Sequence, residues 1–212
     1  EIKECDWSSD VCSSDLIWTI SANAWHNLFT MGLNQAVCIS GESGAGKTES
    51  TKRCLEFITQ MKGTGTSVVA QPIERKIMSC NPILESFGNA KTIRNDNSSR
   101  FGKYTTLFVD KTKRSVKGAA VENYLLEKSR VTTIGEKERN YHIFYVMCQF
   151  MPKEKKQQYH LINTPTGECD MKYFNYLNQS IVYQDPKVND LEFWTDVSAS
   201  LGILRFTEGQ QD

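Results

Sequence analysis

The chain has 212 residues, 39% of them hydrophobic and 24% charged, with 25 basic and 25 acidic side chains. A net charge of zero gives no global reason to bind nucleic acid or an anionic membrane. No apolar run approaches the ~20 residues of a membrane-spanning helix, so the composition is that of a soluble globular chain, long enough for one core or for part of a larger domain. The seven cysteines include no C-x-x-C pair and read as reduced, intracellular thiols. The three histidines, His26, His142 and His160, lack zinc-type spacing and read as packed or surface residues.

In chain order, residues 6–16 repeat a Ser-Ser-Asp unit and look like one reading frame of a sequencing-adapter oligonucleotide. Residues 1–16 are therefore set aside as a scar, with a genuine polar leader as the alternative. Their apolar stretch is too short for a signal peptide. Ala24, Leu28 and Met31, with Trp25 beside them, predict a helix over 21–31. Ser21 or Asn23 would cap it and Gly32 would end it. Residues 36–40, Ala-Val-Cys-Ile-Ser, predict a short buried strand, and 48–61 a long helix. Residues 62–71 are Gly/Thr/Ser-rich and predict a flexible loop. Pro72 suits a first helical turn, 73–80 continue it, and Asn81-Pro82 should interrupt it before a restart over 82–87.

Residues 90–102 are polar and irregular. A hairpin follows: strand 104–109, turn 110–113 and strand 115–124, with further strand expected over 125–134. Tyr141, Phe144, Tyr145 and Cys148 share one face of a predicted helix over 138–150 and read as core rather than a ligand box. Residues 153–156 form a solvated charged face, 163–185 are loop-rich, and 190–203 are the last helix. Internal repeats and low-complexity tracts are absent from the sequence.

The string Gly41-Glu42-Ser43-Gly44-Ala45-Gly46-Lys47-Thr48 fits the phosphate-loop pattern G-x-x-x-x-G-K-[ST]. From average usage, a chain this long matches it by chance roughly once in a hundred. Gly41 and Gly46 allow tight turns and close backbone approach. The loop amides form an anion nest, and the following helix adds its positive end. Lys47 is a mobile charge for β- and γ-phosphates, and the Thr48 hydroxyl is a Mg²⁺ ligand. An ordinary Gly/Ser turn would not require Lys-Thr at its end.

A phosphate loop does not choose among nucleotide-hydrolysing families. Asp110, ending the apolar run Leu107-Phe108-Val109, is one candidate Mg²⁺-side acid, and the start of a hairpin turn is the favoured reading of it. The stronger candidate is Asn95-Asp96-Asn97-Ser98-Ser99-Arg100-Phe101-Gly102-Lys103. Its small hydroxyls and amides suit a loop that orders around a triphosphate.

Taken together these strings resemble the motor domain of myosin. Residues 41–49, including Glu49 after the threonine, match the family's phosphate loop. Residues 81–92 resemble the run before switch I, and 95–103 resemble switch I. Leu125-Leu126-Glu127-Lys128-Ser129-Arg130-Val131 and Glu138-Arg139-Asn140-Tyr141-His142-Ile143-Phe144-Tyr145 match two further strings. Kinesins share a related loop and Ser-Ser-Arg but continue with Ser-His, where this chain has Phe101-Gly102-Lys103. The resemblance covers residues 17–212, densest over 36–145.

The resemblance implies ATP and Mg²⁺ as cofactors. Gly41, Glu42, Ser43, Gly44, Ala45, Gly46, Lys47, Thr48 and Glu49 would form the nucleotide cradle. Lys47 would hold the β/γ-phosphates, and Thr48 and Ser99 would ligate Mg²⁺. Asn95 and Ser98 would contact the phosphates, with Ser98 near the attacking water, and Arg100 would pair with a switch II glutamate. It further implies an actin-activated ATPase parent, with actin filaments as partner through regions mostly outside this chain, light chains in the parent, and a cytoplasmic, cytoskeletal location.

The expected fold is α/β: a P-loop NTPase core with one mixed central sheet flanked by helices, incomplete over 17–212. Asp-x-x-Gly-x-Glu does not occur, so Arg100 has no obvious partner in the sequence. The chain alone is expected to hydrolyse ATP negligibly, its sheet lacking later strands. Two alternatives stay open: another P-loop ATPase or GTPase using Asp110, and a non-hydrolysing nucleotide- or actin-binding remnant.

Overall fold

A computed structural model describes residues 13–61 and 72–211. The chain divides into two compact units, one of Glu1–Ala70 and Phe108–Lys117, the other of Gln71–Leu107 and Gly118–Asp212. The expected loop over 62–71 lies outside the described residues, as does most of the segment set aside at 1–16.

In the first unit, helix α1 spans Ser13–Thr30. It starts upstream of the expected caps. Ser21 lies inside it, and its Oγ donates to the Ile17 carbonyl one turn back at 3.0 Å rather than capping an end. Gly32, at φ 70°, ends the run as expected. Helix α2 spans Lys47–Gln60, buries Cys54, Leu55 and Thr59, and packs against α1. The strand expected over 36–40 does not form. That segment has no regular structure and is exposed apart from the half-buried Ile39. A strand is made by its ladder, and among the described residues none runs beside this one.

In the second unit, α3 spans Pro72–Gly88 and runs through Pro82 without the expected break. Proline deletes one helical hydrogen bond and crowds the preceding turn. Here α3 packs against α7 (Asp190–Ile203) and α5 (His142–Phe150), and that tertiary support carries the helix past it. Two short strands follow, β1 (Asn89–Ala90) and β2 (Ser98–Ser99), antiparallel with Asn89 opposite Ser99 and Ala90 opposite Ser98. Tyr141 bridges to the other side of Ala90.

The hairpin is present as β3 (Gly102–Asp110) and β4 (Ser115–Tyr124). Asp110 Oδ1 accepts the Thr112 and Lys113 amides at 2.9 and 3.0 Å, the side-chain turn its position suggests. Leu125, at φ 55°, breaks the chain direction, so strand does not continue over 125–134. A short helix, α4 (Ser129–Thr132), stands there. After α5 come α6 (Lys153–Gln158), a 3₁₀ turn (Met171–Tyr173), α7 and α8 (Glu208–Gln211). Asn189 caps α7 by accepting the Glu192 amide at 3.1 Å.

The fold is therefore mixed α/β, but the expected single central sheet is replaced by two separate two-stranded sheets among the described residues. The apolar face of α5 is core, as its spacing predicts. Tyr141, Ile143 and Val146 cluster with Ala90, while Tyr145 and Cys148 cluster with Leu177.

Candidate functional site

The glycine loop is built almost entirely from its own residues. Gly44 and Gly46 stand at φ 84° and 83°, a left-handed backbone that a side chain would strain. Gly46 is also the N-cap of α2 and supplies no side-chain cap, so the first-turn amides of that helix remain available to an anion. Ala45 N–H closes a turn on the Glu42 carbonyl at 3.2 Å, and Ser50 N–H makes a helical bond to Gly46 at 2.8 Å. A Cβ on Gly41 would come within 3.3 Å of Ala45 Cβ. Lys47 Nζ lies back across the loop, donating to the Gly41 and Glu42 carbonyls at 2.6 and 2.7 Å. Residues 41–46 are exposed, and Lys47 and Thr48 are half-buried on the first turn of α2. This donor set fits a phosphate: a helix N-terminus with no side-chain cap and an ammonium whose present partners are two exposed carbonyls.

The loop over 95–103 belongs to the other unit and is built in the opposite way. Asn95 Oδ1 accepts the Asn97 amide at 2.9 Å, and the Asn95 carbonyl accepts the Thr92 amide at 2.9 Å. Lys91 ties Asp96 (2.9 Å) to Asp185 (3.2 Å). Burial alone would lower the Lys91 pKa, but these two carboxylates raise it above its ordinary value. Asn97 accepts from Asn89 Nδ2 at 2.9 Å and donates to Glu85 at 3.2 Å. Ser98 is buried in β2, Ser99 beside it is exposed, and Lys103 donates to Asn81 Oδ1 at 2.9 Å.

Arg100 has a partner after all. Its Nε donates to Glu127 Oε2 at 2.6 Å, and Nη1 donates to Ser98 Oγ at 3.3 Å. Arg130 reaches the same Glu127 oxygen at 2.7 Å and continues to Glu138 Oε2 at 3.0 Å. Burial would raise the Glu127 pKa, but the two guanidiniums hold it below the usual carboxylate range.

Behind the loop stand two more buried charged or polar groups. Arg139 is fully buried, grips both Asp190 oxygens at 3.0 and 3.1 Å, and lies 3.9 Å from the Tyr145 ring centre. His142 stacks on Phe193 at 4.5 Å and donates from Nε2 to Asn97 Oδ1 at 3.2 Å. Burial, with the Arg139 charge beside it, pushes its pKa down to about 3, so the ring is neutral at physiological pH.

The family model for the myosin head (motor domain) matches residues 14–212. This chain belongs to the myosin motor-domain family. It is 38% identical over 195 residues to Myosin-8 of Arabidopsis thaliana, covering 92% of this chain and 12% of that protein. It is 40% identical to Myosin-17 over 196 residues, 92% of this chain and 12% of that one. It is 39% identical to Myosin-16 over 196 residues, 92% and 15%. Both are also from Arabidopsis thaliana. The chain thus spans a small part of the length of the myosins it matches. The alternative of an unrelated ATPase using Asp110 loses its support, since the Asp110 carboxylate holds its own turn.

The structure brings Asn95, Ser98, Ser99 and Arg100 into one bonded loop, and Gly41 through Glu49 into one loop and helix start. Sequence reasoning did not assign Glu127, Arg130, Glu138, Arg139 or His142 any part in supporting the 95–103 loop. The local sequence held no signal for it: Glu138 and Arg139 lie in the polar run 136–140, and Glu127 and Arg130 flank Lys128 and Ser129, a pattern that reads as a solvated segment.

Proposed function

We propose that this chain is the nucleotide-handling part of an actin-based motor, on a P-loop NTPase core, that couples Mg-ATP binding and hydrolysis to movement along actin filaments. The observation that carries this is the glycine loop: left-handed backbone at Gly44 and Gly46, an uncapped α2 N-terminus, and an ammonium set across both. Lys47 exchanges its two carbonyls for β- and γ-phosphate oxygens, which offer full negative charge. The amides of residues 42–48 orient the phosphates, and Glu49 closes the motif on the first turn of α2. Thr48 and Ser99 are the hydroxyls that would hold Mg²⁺, which supplies charge neutralisation between the phosphates when bound.

Asn95 and Ser98 position the γ-phosphate and the attacking water, and Arg100 draws the loop closed. Catalysis of this kind is positioning and electrostatic stabilisation of a metaphosphate-like transition state. Actin is the filament partner, with light chains in the parent protein, and the location is cytoplasmic and cytoskeletal.

The test is Lys47→Ala in the motor that contains this chain, read by fluorescent-ATP titration. Loss of one charge-assisted contact set predicts about 100-fold weaker binding at ~1.4 kcal/mol per tenfold. Binding at the parent level would reject the reading.

A further inference from the structure

Arg100 and Arg130 compete for one carboxylate oxygen. Arg100 Nε reaches Glu127 Oε2 at 2.6 Å and Arg130 Nε reaches the same atom at 2.7 Å, with Arg130 Nη2 on Oε1 at 3.4 Å. The two arginines are held very differently. Arg130 is buried, and its Nη1 is fixed by Glu138 Oε2 at 3.0 Å and by the Arg139 carbonyl at 3.1 Å. The Arg100 side chain is 28% exposed, and its other bond is the longer one to Ser98 Oγ at 3.3 Å.

The Arg100 backbone is pinned independently of its side chain. Its N–H donates to the Gly88 carbonyl at 2.9 Å, and its carbonyl accepts the Glu127 N–H at 3.0 Å. The Glu127 backbone is pinned too, its carbonyl accepting from Tyr141 Oη at 2.7 Å. A guanidinium on a fixed backbone can leave Glu127 by rotating its own side-chain torsions. A partly buried carboxylate that loses its sole partner is strongly destabilised, but Glu127 keeps Arg130 when Arg100 goes.

We propose that Glu127 is a releasable dock for Arg100, with Arg130 as the keeper that leaves the carboxylate paired when Arg100 departs. The released guanidinium is then free to serve a second anion. This last step rests on the function proposed above, which gives Arg100 its destination. Glu127 is thus a positioning residue acting through Arg100. The arrangement makes a prediction of sign. Glu127→Gln removes the charge of the dock and frees Arg100. Arg130→Lys replaces a two-point fork with a single ammonium, leaves more of Glu127 to Arg100, and tightens the dock.

The first measurement is solvent exchange of the Arg100 Nε–H by ¹⁵N NMR on arginine-labelled chain, the signal assigned by its loss in Arg100→Lys. Relative to the unsubstituted chain, exchange should be about tenfold faster in Glu127→Gln and severalfold slower in Arg130→Lys, the size of typical coupling between contacting groups. Changes of the same sign in both variants, or no change in Glu127→Gln, overturn the dock. Glu127→Asp, which keeps the charge at shorter reach, replaces Glu127→Gln if that variant unfolds, and should fall between the two.

The second measurement is release of fluorescent ADP from the complete motor. It should slow in Glu127→Gln and quicken in Arg130→Lys, and equal signs again overturn the proposal. The two readings fail separately. If Lys47→Ala binds nucleotide normally, the functional reading falls while the exchange rates still decide the dock. If Lys47→Ala abolishes binding and Arg100 exchange ignores Glu127, the dock falls alone.

Discussion

The two loops that carry the proposed chemistry are built on opposite plans. The glycine loop over 41–48 bonds to itself: its turn, its helix start and its lysine all close within eight residues of sequence. The loop over 95–103 bonds to nearly everything around it: α3 through Glu85, Gly88 and Asn81, β1 through Asn89, the Glu127 carboxylate, and His142 at the start of α5. The first is exposed and supported by backbone conformation, the second by partly buried polar contacts. A local design tolerates side-chain loss and fails only in function. A networked design loses stability first, and function with it.

The sharpest way to break that contrast is at Arg139. It is fully buried, and Asp190 accepts both of its bonds from Nη2 as well as one from Gln149 Nε2 at 2.9 Å. Arg139→Met strands the Asp190 charge and should cost about 3–5 kcal/mol in urea unfolding. The double variant Arg139→Met/Asp190→Leu should recover much of this, because a buried pair replaced by apolar groups of similar volume is often near neutral. If Arg139→Met alone is mild, the support behind the loop is not electrostatic.

His142 gives the next largest effect, and it depends on pH. The folded ring has a pKa of about 3 against 6.5 for an ordinary histidine. Below pH 6.5 the unfolded chain takes up a proton that the folded chain refuses, so stability falls as pH falls through that window. By pH 5 the loss is about 2 kcal/mol. Glu127 moves the balance only below the ordinary carboxylate range, since its pKa is lowered from 4.5. His142→Gln, which keeps a donor toward Asn97, should flatten the slope between pH 7 and pH 5. An unchanged slope would mean that another group titrates there.

Gly88 is a smaller test of the same network. A Cβ at this position meets the Phe101 ring at Cε1. Gly88→Ala gains helix propensity but forces that ring aside, for a net cost of about 1–2 kcal/mol. Phe101→Leu in the same chain should return part of it. No recovery would place the strain elsewhere than the ring.

The same contrast explains what could be read in the sequence. The phosphate motif was legible because its function needs backbone conformation and a fixed order of neighbours, both of which sequence spacing records. The hairpin was legible through the turn at Asp110, and the apolar face of α5 through the spacing of Tyr141, Phe144, Tyr145 and Cys148. The strand over 36–40 was not, because an apolar run becomes a strand only beside a partner. The continuity of α3 through Pro82 was not, because it depends on α5 and α7. The partner of Arg100 was hidden for the same reason. Glu127 lies 27 residues away, and nothing in the local pattern of either residue names the other.

Lys47 gives the smallest expected effect on stability, and the one that most sharpens the comparison. Its ammonium bonds two carbonyls of exposed residues. Water replaces such bonds at little net cost, and alanine is a slightly better helix former than lysine at the start of α2. Lys47→Ala should therefore change unfolding free energy by less than about 0.5 kcal/mol, while nucleotide affinity falls by the factor given above. A loss well beyond that would mean that the lysine holds the loop in shape. The loop would then lean on its own side chain, as the 95–103 loop leans on its neighbours, and a phosphate drawing Lys47 away would have to work against the fold. Near-zero change in stability with lost binding would instead mark a cradle whose shape is set by its glycines and whose lysine is free to move to the ligand.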